Sequence, residues 1–89
     1  MKCYIIVYDL NNWSTQDYSE LHNAIKSYRT WAHISESVWA IVTEQKATTI
    51  RDYLKTKMDA NDLIFIIKSW TEAAWWNVMC RDQWLKDNL

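Results

Sequence analysis

The chain has 89 residues, 49% of them hydrophobic and 24% charged, which is the size and balance of one small globular domain spanning residues 1–89. A formal net charge of −1 argues against the broad cationic surface that non-specific nucleic-acid binders need. Glycine and proline are both absent, which excludes glycine-rich phosphate loops of the P-loop and dinucleotide kinds and leaves turns to Asn, Asp, Ser and Thr.

Cys3-Tyr4-Ile5-Ile6-Val7-Tyr8-Asp9-Leu10 is short, β-branched and aromatic, so it predicts a buried strand over about residues 2–10. Asn11-Asn12-Trp13 follows as a loop. Ser14-Thr15-Gln16-Asp17 fits a helix start, and Tyr18, Leu21, Ile25 and Tyr28 then make one apolar helical stripe. From Trp31 to Val42 the period changes to two, broken by Ser35-Glu36-Ser37, which predicts a hairpin of two strands. Thr43 is placed to cap a second helix carrying Ala47, Ile50, Leu54 and Met58. Asp59-Ala60-Asn61-Asp62 reads as a turn, and Leu63 to Ile67 as a strand apolar at every position. The tail from Ser69 starts a further helix or adds a strand. Asp82 caps a last short helix through Trp84 and Leu85.

The order β-α-β-β-α-β plus a tail predicts an α+β, ferredoxin-like domain, with a four-stranded antiparallel sheet, two helices on one face and a C-terminal extension. That arrangement conflicts with the pattern of strands one and four. Two helices cover one face, yet both faces of these strands are apolar. Trp39 falls on the open face, with either Tyr4 and Tyr8 or Ile5 and Val7. Either the Trp-rich tail or a second copy must cover it. A homodimer is expected, because two-fold dimers are the commonest closed assemblies. The expected interface residues are Tyr4, Tyr8, Trp39, Trp75 and Trp76.

The run Tyr4-Ile5-Ile6-Val7-Tyr8-Asp9-Leu10, then a helix, then Ile34-Ser35-Glu36-Ser37-Val38-Trp39, resembles the small CRISPR-associated partner of the spacer integrase, the Cas-two family. It is similar also to VapD toxins. Over nearly the whole chain it resembles short bacterial proteins labelled SinR-family, through Thr30-Trp31-Ala32-His33-Ile34, Ile50-Arg51-Asp52-Tyr53-Leu54 and Trp84-Leu85-Lys86. The resemblance implies a ferredoxin-like homodimer with Asp9 near the dimer axis, where it would be a Mg²⁺ ligand in a metal-dependent endoribonuclease. Ser37 is the matching Ser of the third-strand element. The loop Asn11-Asn12-Trp13 lacks the basic residues typical of that family.

Asp9, Ser37 and His33 are therefore the candidate catalytic residues. Each has a plainer role: Asp9 as a cap for loop amides, Ser37 as a hairpin residue, and His33 as an interface hydrogen-bonding group. His22 borders the first helical stripe. Trp13, Trp39, Trp70, Trp75 and Trp76 have the flat faces that stack bases, but the cations near them in the sequence are few, Lys68 and Arg81. The expected function is a non-catalytic homodimeric module that binds a protein or nucleic-acid partner; the alternative is the metal-dependent nuclease. Two cysteines without CxxC spacing point to free thiols in a reducing, cytoplasmic setting, with no metal site of their own. The apolar run before Asp9 is too short for a signal peptide or a spanning helix.

Overall fold

Strand β1 (Lys2–Asp9) forms where Tyr, Ile and Val follow one another, and it lies inside the sheet. A computed structural model describes residues 1–11, 18–70 and 72–89. After β1 come α1 (Ser19–Lys26), β2 (Thr30–Ser35), β3 (Val38–Thr43), α2 (Ala47–Lys55), β4 (Leu63–Lys68) and α3 (Asp82–Asn88). The strands lie in the order β2-β3-β1-β4, with every neighbouring pair antiparallel. The protein is thus α+β with an open four-stranded sheet, compatible with the ferredoxin-like expectation.

Side chains alternate across a strand, so β1 sorts its residues between two faces. Tyr4, Ile6 and Tyr8 point to one, where they pack with Trp39 and Ile41 of β3. Leu21, Ala24 and Ile25 of α1 and Ile50 and Leu54 of α2 close over them. Ile6, Leu21, Ile25, Ile50 and Leu54 are fully buried, each worth about 1.5–3 kcal/mol of transfer free energy, which makes this the principal core. Tyr18 extends the α1 stripe as its spacing predicts. The expected start signal at residues 14–17 lies outside the described residues.

The opposite face carries a second, shallower cluster of Cys3, Ala40 and Val42, with Ile5, Ile34, Trp84 and Leu89 against it. Its small residues leave room for the Trp84 indole. The tail crosses this face from one sheet edge towards the other. Ser69 N donates to Cys3 O at 2.8 Å, Met79 N to Ile34 O at 2.8 Å, and Trp84 Nε1 to Thr30 Oγ1 at 2.9 Å. From Ser69 to Arg81, the described residues of the tail form neither helix nor strand. Asn77 takes the left-handed conformation (φ 55°), a role glycine fills elsewhere and Asn tolerates.

Three local expectations are corrected. Thr43 ends β3 rather than capping α2; its Oγ1 accepts from Gln45 N, and α2 begins after Lys46. Met58 lies beyond the end of α2, though it still packs on the core. The hairpin turn is Glu36-Ser37, and a register shift between His33 and Ser35 puts Ser35 opposite Val38, away from the face of His33 and Trp39. Among the described residues, no helix is long and apolar enough to cross a membrane.

Leu85 is 1% exposed and ties α3 into the fold. Leu85→Ala is expected to lower the unfolding free energy by about 2–5 kcal/mol in urea titration. A change below about 0.5 kcal/mol would mean that α3 does not pack on the sheet in solution.

Candidate functional site

The tail covers β2, β3 and the Cys3–Ile5 end of β1 on its face, and no more. Along the β1–β4 pair the register sets Ile5 beside Ile67, Val7 beside Phe65 and Asp9 beside Leu63. Val7 is 37% exposed, Ile67 52%, Phe65 61% and Leu63 64%. Four large apolar side chains thus form one continuous strip, with the exposed carboxyl-bearing Asp9 at its end. Isolated exposed apolar residues are ordinary; a contiguous strip marks an interaction surface. The strip follows from β4 being apolar on both faces while its even residues, Ile64 and Ile66, already serve the core.

Asp62 fixes the end of β4 next to this strip. Its Oδ1 accepts from Asn11 N at 2.9 Å and its Oδ2 from Asp59 N at 2.8 Å. The Tyr18 hydroxyl lies 3.1 and 2.8 Å from its two oxygens, and Asn11 Nδ2 donates to the neighbouring Asn61 carbonyl. Desolvation pushes the Asp62 pKa up, but the Asn11 and Asp59 amides and the Tyr18 hydroxyl outweigh it and hold the pKa below its usual value. One ionised carboxylate therefore joins the chain after β1 to the turn before β4.

The helix side of the sheet holds an aromatic and imidazole cluster. His33 stacks on Trp39 with centroids 3.9 Å apart and planes 10° apart. Trp39 Nε1 donates to the Tyr8 hydroxyl at 3.0 Å, and that hydroxyl donates to Glu36 O at 3.3 Å. His22 Nε2 lies 3.1 Å from the same hydroxyl, and His33 Nε2 lies 3.2 Å from Glu36 O. The Lys26 ammonium sits 5.3 Å from the Trp31 centroid and 5.9 Å from that of Trp39. Burial raises the Tyr8 pKa, with the Trp39 donor opposing and the Glu36 charge adding to the rise. Tyr8 is accordingly a neutral structural hydroxyl rather than a base.

These placements change the expected interface. Tyr4, Tyr8 and Trp39 are buried beneath α1 and α2, so they cannot meet a partner. Of the two alternatives for β1, Ile5 and Val7 face the open side. Trp75 is half-buried and donates Nε1 to Asp82 at 3.2 Å, whereas Trp76 and Trp70 are exposed. Trp13 lies outside the described residues. Ser37 accepts the Tyr8 amide through its carbonyl at 3.2 Å and serves the hairpin. His33 lies on the opposite face from Asp9, so the structure does not assemble Asp9, Ser37 and His33 into one site. Leu63, Phe65 and Ile67 had been visible only as part of an all-apolar strand; nothing local distinguishes them from Ile64 and Ile66.

Among the described residues, no group of three or more His, Cys, Asp or Glu side chains is placed to hold a metal. A Mg²⁺ at Asp9 would therefore draw most of its oxygen ligands from water or from a second copy. Cys3 and Cys80 are free thiols, and desolvation raises the pKa of each. No family model, no curated protein and no solved structure matches the chain.

Because the Asp62 pKa is depressed in the folded protein, its stabilising effect is complete above the unfolded value of about 3.9 and fades as pH falls through the folded pKa. Asp62→Asn is expected to lower Tm at pH 7, with the gap to wild type closing on acidification below about pH 4. A gap that stays constant through that range would remove the carboxylate charge from the account.

Tyr8→Phe leaves the buried Trp39 N–H without its acceptor and is expected to destabilise by about 1–3 kcal/mol in urea titration. An unchanged midpoint would show that the bond is not formed in solution.

Proposed function

We propose that the chain is a cytoplasmic, ferredoxin-like, homodimeric module of the Cas-two type that binds a partner macromolecule without catalysing a reaction. The observation that carries this reading is the strip of Val7, Leu63, Phe65 and Ile67 on the part of the sheet the tail leaves free. Its position at an open sheet edge suits a second copy of the chain. Its apolar chemistry and the net charge of −1 favour a protein over a nucleic acid as the further partner.

A second reading, a metal-dependent endoribonuclease, draws support from Asp9 alone. That carboxylate is exposed at the end of β1, beside Leu63, on the same open face. A dimer that brought two such residues together would offer a hard, oxygen-rich site for Mg²⁺, able to polarise a phosphoryl oxygen or acidify a water.

Sedimentation at micromolar concentration is expected to show a dimer, and Phe65→Asp a monomer with an unchanged far-ultraviolet spectrum. A wild-type monomer at these concentrations would contradict the homodimer. For the nuclease, Mg²⁺-dependent RNA cleavage abolished by Asp9→Ala would establish the second reading over the first. Cleavage at the wild-type rate by Asp9→Ala would remove Asp9 from any mechanism.

A further inference from the structure

The two edges of the sheet are treated differently. At β2 the register shift between His33 and Ser35 disturbs the ladder, and Met79 N closes on the Ile34 carbonyl. Such devices prevent an edge from pairing with another chain. At β4 the run Leu63–Ile67 is apolar without a break, regular in register, and free of proline. Its one charge is Lys68, at the end.

The backbone of β4 can be read group by group. Ser69 N donates to Cys3 O, so the odd-numbered groups of β4 face β1. The even-numbered groups, at Ile64, Ile66 and Lys68, therefore point away from the sheet, as antiparallel alternation requires. Only a neighbouring strand can satisfy them as a ladder.

We propose that β4 pairs antiparallel with β4 of a second copy, with Phe65 on the two-fold axis, making one continuous eight-stranded sheet. This rests on the homodimer reading and specifies its geometry. Two conditions select the register. Outward-pointing residues must face outward-pointing residues, which keeps like faces together. The charges must also complement one another. With Phe65 opposite Phe65, Ile64 and Ile66 exchange backbone hydrogen bonds across the axis, and Leu63 lies opposite Ile67. Asp62 of one copy then stands opposite Lys68 of the other, twice by symmetry. Asp62 is held ionised by the Asn11, Asp59 and Tyr18 bonds, so it presents a fixed negative charge to that lysine. Moving the register by two residues either way leaves both charges opposite apolar residues or beyond the strand. The paired sheets also place two copies of the apolar strip side by side on one face. Three strand spacings across and four residues along separate the two Asp9 residues by roughly 20 Å, too far for them to share a metal, so this pairing departs from the axial Asp9 that the Cas-two resemblance implies.

Residues opposite one another in a non-hydrogen-bonded antiparallel pair have Cα atoms about 4.5 Å apart, within disulfide reach. The test uses full-length chains carrying Cys80→Ser, with oxidised glutathione as oxidant. Phe65→Cys is expected to form a covalent dimer on non-reducing electrophoresis. Leu63→Cys and Ile67→Cys are each expected to stay unlinked alone and to link when mixed. Lys68→Glu is expected to weaken the wild-type dimer by roughly tenfold to a hundredfold in sedimentation, since two attractive cross-strand pairs become repulsive. A wild-type dimer in which Phe65→Cys stays unlinked, or Leu63→Cys links with itself, overturns this geometry while leaving the homodimer standing. A wild-type monomer overturns both.

Discussion

The period of two along β1 sets what every other element of the fold must cover. It sends Tyr4, Ile6 and Tyr8 to one side of the sheet and Cys3, Ile5 and Val7 to the other. Both sets are apolar, so both sides need cover. Helices α1 and α2 supply it on the first side, where the large residues collect. The second side receives a single crossing segment with α3, which covers β2, β3 and the Cys3–Ile5 end of β1 and leaves Val7 and β4 open. The exposed strip is the remainder of a two-sided hydrophobic demand met on one and a half sides.

Side-chain volume explains the division. The helix side holds Trp39, Tyr8, Tyr4 and the isoleucines, and it also satisfies their polar atoms: the indole N–H and the Tyr8 hydroxyl find partners in Tyr8, Glu36 and His22. Buried Trp and Tyr require such partners, and the hairpin turn and α1 provide them. The tail side holds Cys3, Ala40 and Val42, small enough for one helix to lie close through Trp84. Among the described residues, Tyr28 is the exception, its hydroxyl buried with no hydrogen-bond partner.

Most of the elements were legible because periodicity is local. Alternation marked the strands, three-and-four spacing marked both main helices, and Asp82 marked α3 to within a residue. The facing of β1 was not legible, because Tyr4-Tyr8 and Ile5-Val7 are equally apolar and only their packing partners decide between them. Alternation alone puts Trp39 on the open side, whereas its stacking with His33 and bond to Tyr8 place it on the other. The Ser35 register shift has no sequence signal. Asp62 was recognised as a turn residue, but its partners Asn11 and Tyr18 are 51 and 44 positions away, beyond any local pattern. Asp9 keeps its place at the end of β1, separated from His33 by the sheet itself.

In the proposed dimer the outer edge of β4 is occupied by a second copy in solution. Amide hydrogen exchange measured across a range of protein concentrations tests it most directly. If β4 pairs with its mate, the Ile64 and Ile66 amides are protected at high concentration and lose that protection on dilution, while the Phe65 amide, bonded within the chain to β1, keeps its own. Exchange of Ile64 and Ile66 at the rate of a free edge strand at every concentration would contradict it.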